Sequence, residues 1–232
     1  KISFTEMVRG LNSGTTQNCT HISVDNMGVA IAAFATGFFS VGLISGGTVT
    51  WSPLPRYLNT ASAVGCSAID TDKEGAFIVM FADGYIAKIT NSGSTIDTSM
   101  TRWLNTGAIT GGDAVIKHLG GSKWLCVFDH MYASISSDGT NFTTITRGLG
   151  VRVESLIECC ATDKLGNVLI SANYLGSNHS YSADFGQNWN EITPVGLSSG
   201  TTTADARCVG YGNSKFFSGF VGGYAAISPP LI

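Results

Sequence analysis

Short apolar runs separated by Gly, Asn and Asp recur along the whole chain. In one stretch, runs of strand length lie at 66–70, 76–81, 85–89 and 96–102, with turn residues between them. The run at 76–81 is almost continuously apolar, which is typical of a strand buried on both faces, and matching runs lie at 29–34, 123–128, 168–171 and 215–220. No segment has sustained helical periodicity. The pattern predicts an all-β chain whose repeated unit has four antiparallel strands.

An arginine marks the repeat. It recurs at intervals of 45 to 47 residues, at Arg9, Arg56, Arg102 and Arg147, and Pro194 takes its place in a fifth copy. Counted through the terminus, the five intervals cover all 232 residues. A period of about 40 to 50 residues is typical of propeller blades and solenoid units. The last copy lacks its final segment, and residues 1–14 match that segment. We therefore expect one domain over residues 1–232, a five-bladed β-propeller whose last blade is closed by the N-terminal strand 1–14.

A short motif occupies the predicted turn between the third and fourth strands of two repeats. In one copy the spacing is Ser-x-Asp-x-Gly-x-x-Trp, with Ser182, Asp184, Gly186 and Trp189. The other copy is one residue shorter, with Ser136, Asp138, Gly139 and Phe142. In such a turn the aspartate accepts hydrogen bonds from turn amides, and the glycine adopts a backbone conformation that other residues resist.

With this motif in phase with its repeat, the chain resembles the Asp-box β-propellers. That group includes sialidases, some glycosidases, lectins and the adhesin tips of bacteriophage tails. In those families the Asp box is a structural turn away from the ligand-binding face. The resemblance therefore implies that Asp138 and Asp184 are structural and not catalytic.

The balance of charges and the length of the apolar runs argue against two kinds of partner, nucleic acid and membrane. The chain has 13 Lys and Arg against 16 Asp and Glu, a net charge of -3, whereas nucleic-acid binding needs a dense basic surface. No apolar run approaches the roughly 20 residues that span a bilayer. We expect no nucleic-acid partner and no insertion into a membrane.

The cysteines follow the repeat. Cys19, Cys66, Cys159 or Cys160, and Cys208 fall at corresponding points of four repeats, each in an apolar stretch. Corresponding positions in different blades are usually too far apart for the Cα separation of about 4.4 to 6.8 Å that a disulfide needs. The C-x-x-C spacing of structural zinc sites is absent. The pattern predicts buried free thiols in a protein made in a reducing compartment, with no metal and no cofactor.

The loops that join the second and third strands, and those that lead into the next blade, are the predicted ligand-binding face. A recurring aromatic ring beside amide and guanidinium donors suits a sugar, and the irregular loops around residues 129 and 173–179 depart most from the repeat. The candidate binding residues are Arg56, Asp83, Tyr85, Arg102, Asp129, His130, Tyr132, Arg147, Asn173, Tyr174, Asn178 and His179. The structural alternative is that the arginines cap strand carbonyls and the aromatics pack between blades.

An enzyme of this group would need convergent acids. Glycosidases place two carboxylates about 5 to 9.5 Å apart, and no spacing among the loop acids brings such a pair together. The arginines also lie one per blade and do not converge as a sialidase site requires. We therefore expect a protein that is not an enzyme.

The functional hypothesis is a receptor-recognition module. The low-charge, Gly-, Ser- and Thr-rich composition favours the tip of a phage tail fibre that binds a bacterial cell-surface glycan or protein receptor. Its parent would be a homotrimeric fibre, made in the bacterial cytoplasm and located in the virion. A cellular lectin-like or scaffold propeller, which could be secreted, is the alternative. A sialidase-like glycoside hydrolase is the second alternative.

Overall fold

The computed structural model describes residues 18–35, 39–54, 65–82, 86–90, 95–97, 114–128, 132–145, 156–173, 179–192, 206–221 and 225–231. Within these ranges the regular structure consists of β-strands, without a helix. In this part of the chain there is accordingly no helix long and apolar enough to cross a membrane. The predicted all-β class is confirmed.

The strands form antiparallel sheets that follow the chain in order. The first sheet contains β1 (Cys19–Val24), β2 (Val29–Phe34), β3 (Phe39–Ser45) and β4 (Thr48–Leu54). The second contains β5 (Cys66–Thr71), β6 (Phe77–Phe81), β7 (Ile86–Thr90) and β8 (Thr95–Asp97). The third contains β9 (Ala114–Gly120), β10 (Lys123–Phe128), β11 (Tyr132–Ser136) and β12 (Phe142–Ile145).

The fourth sheet contains β13 (Leu156–Thr162), β14 (Val168–Asn173), β15 (His179–Ser182) and β16 (Asn190–Ile192). The fifth contains β17 (Ala206–Gly212), β18 (Lys215–Phe220) and β19 (Ala225–Ile227). Four sheets thus show the predicted four strands, and the fifth shows three among the described residues. The strand that was predicted to complete it, 1–14, lies outside those residues.

Consecutive sheets stack through alternating faces. Because side chains of a strand point alternately to its two faces, Phe77 and Val79 pack toward the first sheet. Ile78 and Met80 pack toward the third sheet. The first strands of neighbouring sheets lie side by side, β1 with β5, β5 with β9, β9 with β13 and β13 with β17. The core therefore lies in layers between sheets, and the first strands gather on one side of the stack.

A tight turn built on aspartate joins the first and second strands of three sheets. One carboxylate oxygen of Asp25 accepts the N–H of Val29 at 2.7 Å, and Asp72 accepts that of Ala76 at 3.0 Å. Asp163 accepts the N–H of Asn167 at 2.9 Å. Gly28, Gly75 and Gly166 adopt positive φ of 85°, 106° and 127° within these turns. The Gly and Asp residues that separate these apolar runs thus lie in turns, as the sequence pattern predicts.

The prediction of uniformly buried cysteines is wrong for two of them. All six thiols are free, and Cys66, Cys126 and Cys160 are buried. Cys159 is half-buried, whereas Cys19 and Cys208 are exposed. Cys19 and Cys208 belong to β1 and β17, the first strands of the first and last sheets of the stack. A first strand in the middle of the stack has a neighbour on both sides, which explains why Cys66 and Cys160 are covered.

Candidate functional site

A recess of about 270 Å³ opens where the first strands run into their hairpin turns. Residues of four consecutive sheets line it, among them Asp70, Lys117, Cys160, Lys164 and Tyr211. The first strands lie side by side, and the recess lies where that row of strands meets the hairpin turns. It is a polar opening that collects side chains far apart in sequence.

Positive charge dominates this recess. Lys73, Lys117 and Lys164 line it with one carboxylate, that of Asp70. The Asp70 carboxylate accepts the backbone N–H of His118 at 2.8 Å. Lys73 donates from Nζ to the carbonyl oxygen of Val24. Within the described part of the chain, the ammonium groups of Lys117 and Lys164 take part in no hydrogen bond or ion pair.

Acidic neighbours of these lysines are already engaged. Asp72 precedes Lys73 and Asp163 precedes Lys164, and both carboxylates accept two turn amides through Oδ1. Glu74 is exposed, outside the recess lining. Among the described residues, none of these three carboxylates forms an ion pair with a lysine of the recess.

A buried thiol and a buried imidazole form the base of the recess. Cys160 is buried, and burial raises the pKa of its thiol to about 12, so it stays protonated at neutral pH. The His118 ring is 5% exposed, packs against Trp124 at 4.9 Å between centroids, and lies with Nε2 2.7 Å from the carbonyl oxygen of Gly121. Its Nδ1 is buried without a hydrogen-bond partner in the described region. Such a floor suits binding and not thiolate chemistry.

Most of the predicted ligand-binding residues lie outside the described residues. These are Arg56, Asp83, Tyr85, Arg102, Asp129, His130, Arg147, Tyr174 and Asn178. Asn173 ends β14, where its backbone pairs with Leu156. Their role in binding stays a prediction.

Two predicted binding residues are placed in different layers. Tyr132 begins β11, is half-buried and packs in the layer between the second and third sheets. His179 begins β15 and is 1% exposed, with Nε2 2.6 Å from the Ser218 hydroxyl and its ring 5.6 Å from that of Phe220. The structure therefore does not bring Tyr132 and His179 together in one site.

The two motif turns use their aspartates internally. Asp184 Oδ1 accepts the Ser182 hydroxyl and the Asn188 N–H, both at 2.8 Å, and Gly186 donates its N–H to Ser182 Oγ at 2.8 Å. Slight burial raises the pKa of Asp184, but hydrogen bonds from Asn188 outweigh this and lower it overall.

The shorter turn follows the same plan. Asp138 Oδ1 accepts the N–H groups of Thr140 and Asn141 at 2.7 Å each, and the Ser136 hydroxyl at 2.9 Å. Hydrogen bonds from the Asn141 and Thr140 amides hold the pKa of Asp138 well below its usual range. These bonds are the ones expected if both aspartates serve the turn.

Metal binding has no obvious site in the described region. There, no three side chains of the His, Cys, Asp and Glu types lie close enough to hold an ion together.

No protein-family model matches the chain, and no curated protein matches it in sequence. Solved structures do resemble it. YCF48 bound to a D1 peptide superposes with a TM-score of 0.65 at 15% identity, over 93% of this chain and 64% of that one. The Cps50 (Swd1) β-propeller domain of Myceliophteria thermophila gives 0.60 at 11% identity, over 86% and 65%. The GH74 xyloglucanase of Xanthomonas campestris gives 0.60 at 13%, over 87% and 35%.

At these identities the likeness shows the fold alone. The chain has a β-propeller fold, and it spans less than two thirds of each of these three structures. These comparisons do not show the Asp-box or tail-fibre resemblance, which rests on the sequence motif.

Sequence reasoning missed the lysine-lined recess, although a signal for it exists. Lys73 and Lys164 each follow the aspartate of equivalent hairpin turns. Asp70 and Lys117 are also equivalent, because they pair with Ile78 and Leu125 at the same register of their sheets. Comparing repeats column by column would have placed these four charges at one end of the first strands.

Proposed function

We propose that this chain is a non-enzymatic protein-interaction propeller, a rigid scaffold that binds an acidic segment of a partner protein at the lysine-lined recess. One observation carries the proposal: Lys73, Lys117 and Lys164 line a single opening whose one carboxylate, Asp70, already accepts a backbone N–H. The chain as a whole has a net charge of -3, so this concentration of positive charge is local. Local charge of one sign steers and orients an oppositely charged partner.

The size of the recess favours a chain segment over a folded surface. About 270 Å³ accommodates one or two side chains but not a domain. The opening lies where first strands of four sheets run into their hairpin turns, so an extended segment can approach it from the side of the turns. A carboxylate side chain or a chain terminus matches both the volume and the charge.

The structural neighbours favour a protein partner. YCF48 has been seen with a D1 peptide, so a propeller of this shape can hold a peptide. This supports the scaffold alternative better than the tail-fibre hypothesis. Glycan binding, a homotrimeric parent and a location in the virion or outside the cell gain no support from the comparisons and stay predictions from the sequence.

The proposal includes five blades in a closed ring, with residues 1–14 supplying the last strand of the fifth blade. Its support is the side-by-side order of the five first strands and the repeat that covers all 232 residues. A closed ring would make the recess one mouth of a central channel, framed by all five first strands.

Peptide binding with charge-reversed variants tests the function. Fluorescein-labelled peptides rich in Asp and Glu are titrated with the protein, beside peptides in which Asn and Gln replace the acids. We expect the acidic peptides to bind and to weaken as salt rises from 50 to 300 mM, since exposed charges are screened. Lys117→Glu and Lys164→Glu should each weaken binding about tenfold, equivalent to about 1.4 kcal/mol.

Lys215→Glu is the matched control, because it makes the same charge change outside the recess lining. It should leave the dissociation constant within about twofold of the parent. The proposal fails if neutral peptides bind as well as acidic ones, or if reversal at Lys215 weakens binding as much as reversal at Lys117.

A further inference from the structure

An apolar slot of about 320 Å³ lies between the fourth and fifth sheets. Leu169, His179 and Ile192 line it from the fourth sheet, and Phe216, Ala226 and Ile227 line it from the fifth. A cavity of about 150 Å³ is enough to hold a benzene ring, so this slot has room for an aromatic side chain and some backbone. The recess described above involves other residues.

The same position is filled in the layer between the third and fourth sheets. There Trp189, just before the fourth strand of the fourth sheet, packs into the layer that contains Leu125. Gly186 lies between them, since an added Cβ would be 3.2 Å from the Trp189 ring and 3.3 Å from Leu125. Trp124 pairs with Ser136, and Leu125 is the next residue of its strand. Val168 pairs with Ser182, and Leu169 is the next residue of its strand. Leu125 and Leu169 are therefore equivalent, and the slot beside Leu169 corresponds to the place of Trp189.

The layer between the second and third sheets repeats the arrangement. Phe142 begins the fourth strand of the third sheet and packs into the layer that contains Ile78. Ile78 is the second residue of β6 and lies two residues past the aspartate turn 72–76. Leu169 is the second residue of β14 and lies two residues past the aspartate turn 163–167, so the two positions are equivalent. In both filled layers an aromatic side chain comes from the fourth-strand region of the following sheet.

The fifth sheet shows three strands among the described residues, so the structure shows no such aromatic for the slot. The sequence supplies one at the matching position. Trp51, Phe142 and Trp189 each stand five residues before the position marked by Arg56, Arg147 and Pro194, and Phe4 stands five residues before Arg9.

From this correspondence we infer that the slot is an aromatic-binding site whose occupant is the Phe4 side chain of the same chain. Phe4 enters on a strand that pairs with β19, and its ring packs into the layer that contains Leu169 as the Trp189 ring packs into the layer that contains Leu125. The inference adds a named contact to the ring closure included in the proposed function and does not depend on peptide binding at the recess. The two can fail separately.

Site-specific photo-crosslinking in the full chain tests it. The photoreactive residue p-benzoylphenylalanine replaces Phe4, and after irradiation the crosslinked peptides are identified by mass spectrometry. We expect crosslinks to the slot residues Leu169, Ile192 and Ala226. The same residue at Thr5 is the control, since neighbouring side chains of a strand point to opposite faces and position 5 should not reach the slot.

Mixing heavy-labelled and unlabelled protein separates contacts within a chain from contacts between chains. Crosslinks that join a heavy peptide to a light one would show that a second copy fills the slot and would overturn the inference. Crosslinks from position 4 to other regions, or equal yields from positions 4 and 5, would overturn it as well.

A second measurement removes any dependence on the photoreactive side chain. Amide hydrogen exchange at Ala226 and Ile227 should accelerate at least tenfold in Phe4→Ala, because the strand beside β19 loses its anchor. Phe4→Trp should exchange within about threefold of the parent, as tryptophan serves the equivalent position at Trp189. Unchanged exchange in Phe4→Ala would contradict the assignment.

Discussion

Replacing Gly186 by alanine tests how tightly the motif turn of the fourth sheet packs on the third sheet. Gly186 has a φ of +82°, and Gly47, in the β3–β4 turn of the first sheet, has a φ of +81°. The two glycines therefore impose the same backbone penalty on alanine, about 1 to 2 kcal/mol for the left-handed region. They differ in their surroundings, which makes Gly47→Ala a matched control.

The expected magnitudes follow from the contacts. A Cβ on Gly47 would meet no atom within 4 Å, so Gly47→Ala should lower the free energy of unfolding by about 1 to 2 kcal/mol. A Cβ on Gly186 would lie 3.2 Å from Cζ2 of Trp189 and 3.3 Å from Cδ1 of Leu125. Leu125 is fully buried and cannot move aside freely. Overpacking at such a place costs about 1 to 3 kcal/mol more, so Gly186→Ala should lose about 2 to 5 kcal/mol.

Urea unfolding followed by tryptophan fluorescence and by circular dichroism measures both variants. Coincident transitions from the two probes would justify a two-state free energy. A difference of about 2 kcal/mol corresponds to about 4 to 8 °C in Tm for a domain of this size. If the two variants lost the same stability within about 0.5 kcal/mol, the packing of the Trp189 turn on Leu125 would be refuted.

Three further predictions concern charge and thiols. Turn amides lower the pKa of Asp138, so its contribution to the free energy of unfolding is present above the unfolded pKa of about 3.9 and is lost as pH falls through the folded pKa. The urea midpoint of Asp138→Asn should therefore lie below that of the parent at pH 7 and approach it at pH 3. A gap that stays constant with pH would contradict this. Lys88→Met removes hydrogen bonds to the Asp138 carbonyl at 2.8 Å and the Thr140 hydroxyl at 3.1 Å, both of which are exposed. Urea unfolding should show that the free energy of unfolding falls by at most about 1 kcal/mol. A fall of more than about 2 kcal/mol would show that the contact is buried. Burial raises the pKa of Cys66 to about 12, so iodoacetamide at pH 8 should label the exposed Cys19 and Cys208 first by mass spectrometry, and equal labelling of Cys66 would contradict its burial.

The inner strands could be predicted closely from the sequence. β2, β10 and β18 have the predicted bounds, because a continuous apolar run between Gly, Asp and Asn signals leaves little freedom in where such a strand starts and stops. All six residues of β2 and five of the six in β10 are buried, whereas three of the six in β18 are. Burial on both faces is what makes the pattern strong.

The outer strands and the strand ends were harder to predict from the sequence. The fourth strand of the second sheet was predicted at 96–102; β8 covers Thr95–Asp97, and residues 98–102 lie outside the described part of the chain. A strand at the outer edge pairs on one side and carries polar residues, so its pattern is weak. His179 was assigned to an irregular loop, yet it begins β15 and is buried against Phe220, because a histidine gives no apolar signal for its burial.

The recess is built from residues that are far apart in sequence, so short sequence motifs do not reveal it. Asp70 and Lys117 are 47 residues apart, and no motif of short spacing contains both. Yet they occupy the same register of adjacent first strands, and first strands lie side by side. In a stacked repeat, residues of one register form a row across the sheets, so a charge placed there in two repeats becomes a cluster. The aspartate turns matter for the same reason: they fix the ends of the first strands, and Lys73 and Lys164 directly follow their aspartates. The hairpin turns and the lysines of the proposed binding recess therefore share the same short segments, so the first-strand hairpins of this fold should be searched for recognition residues beside the longer loops.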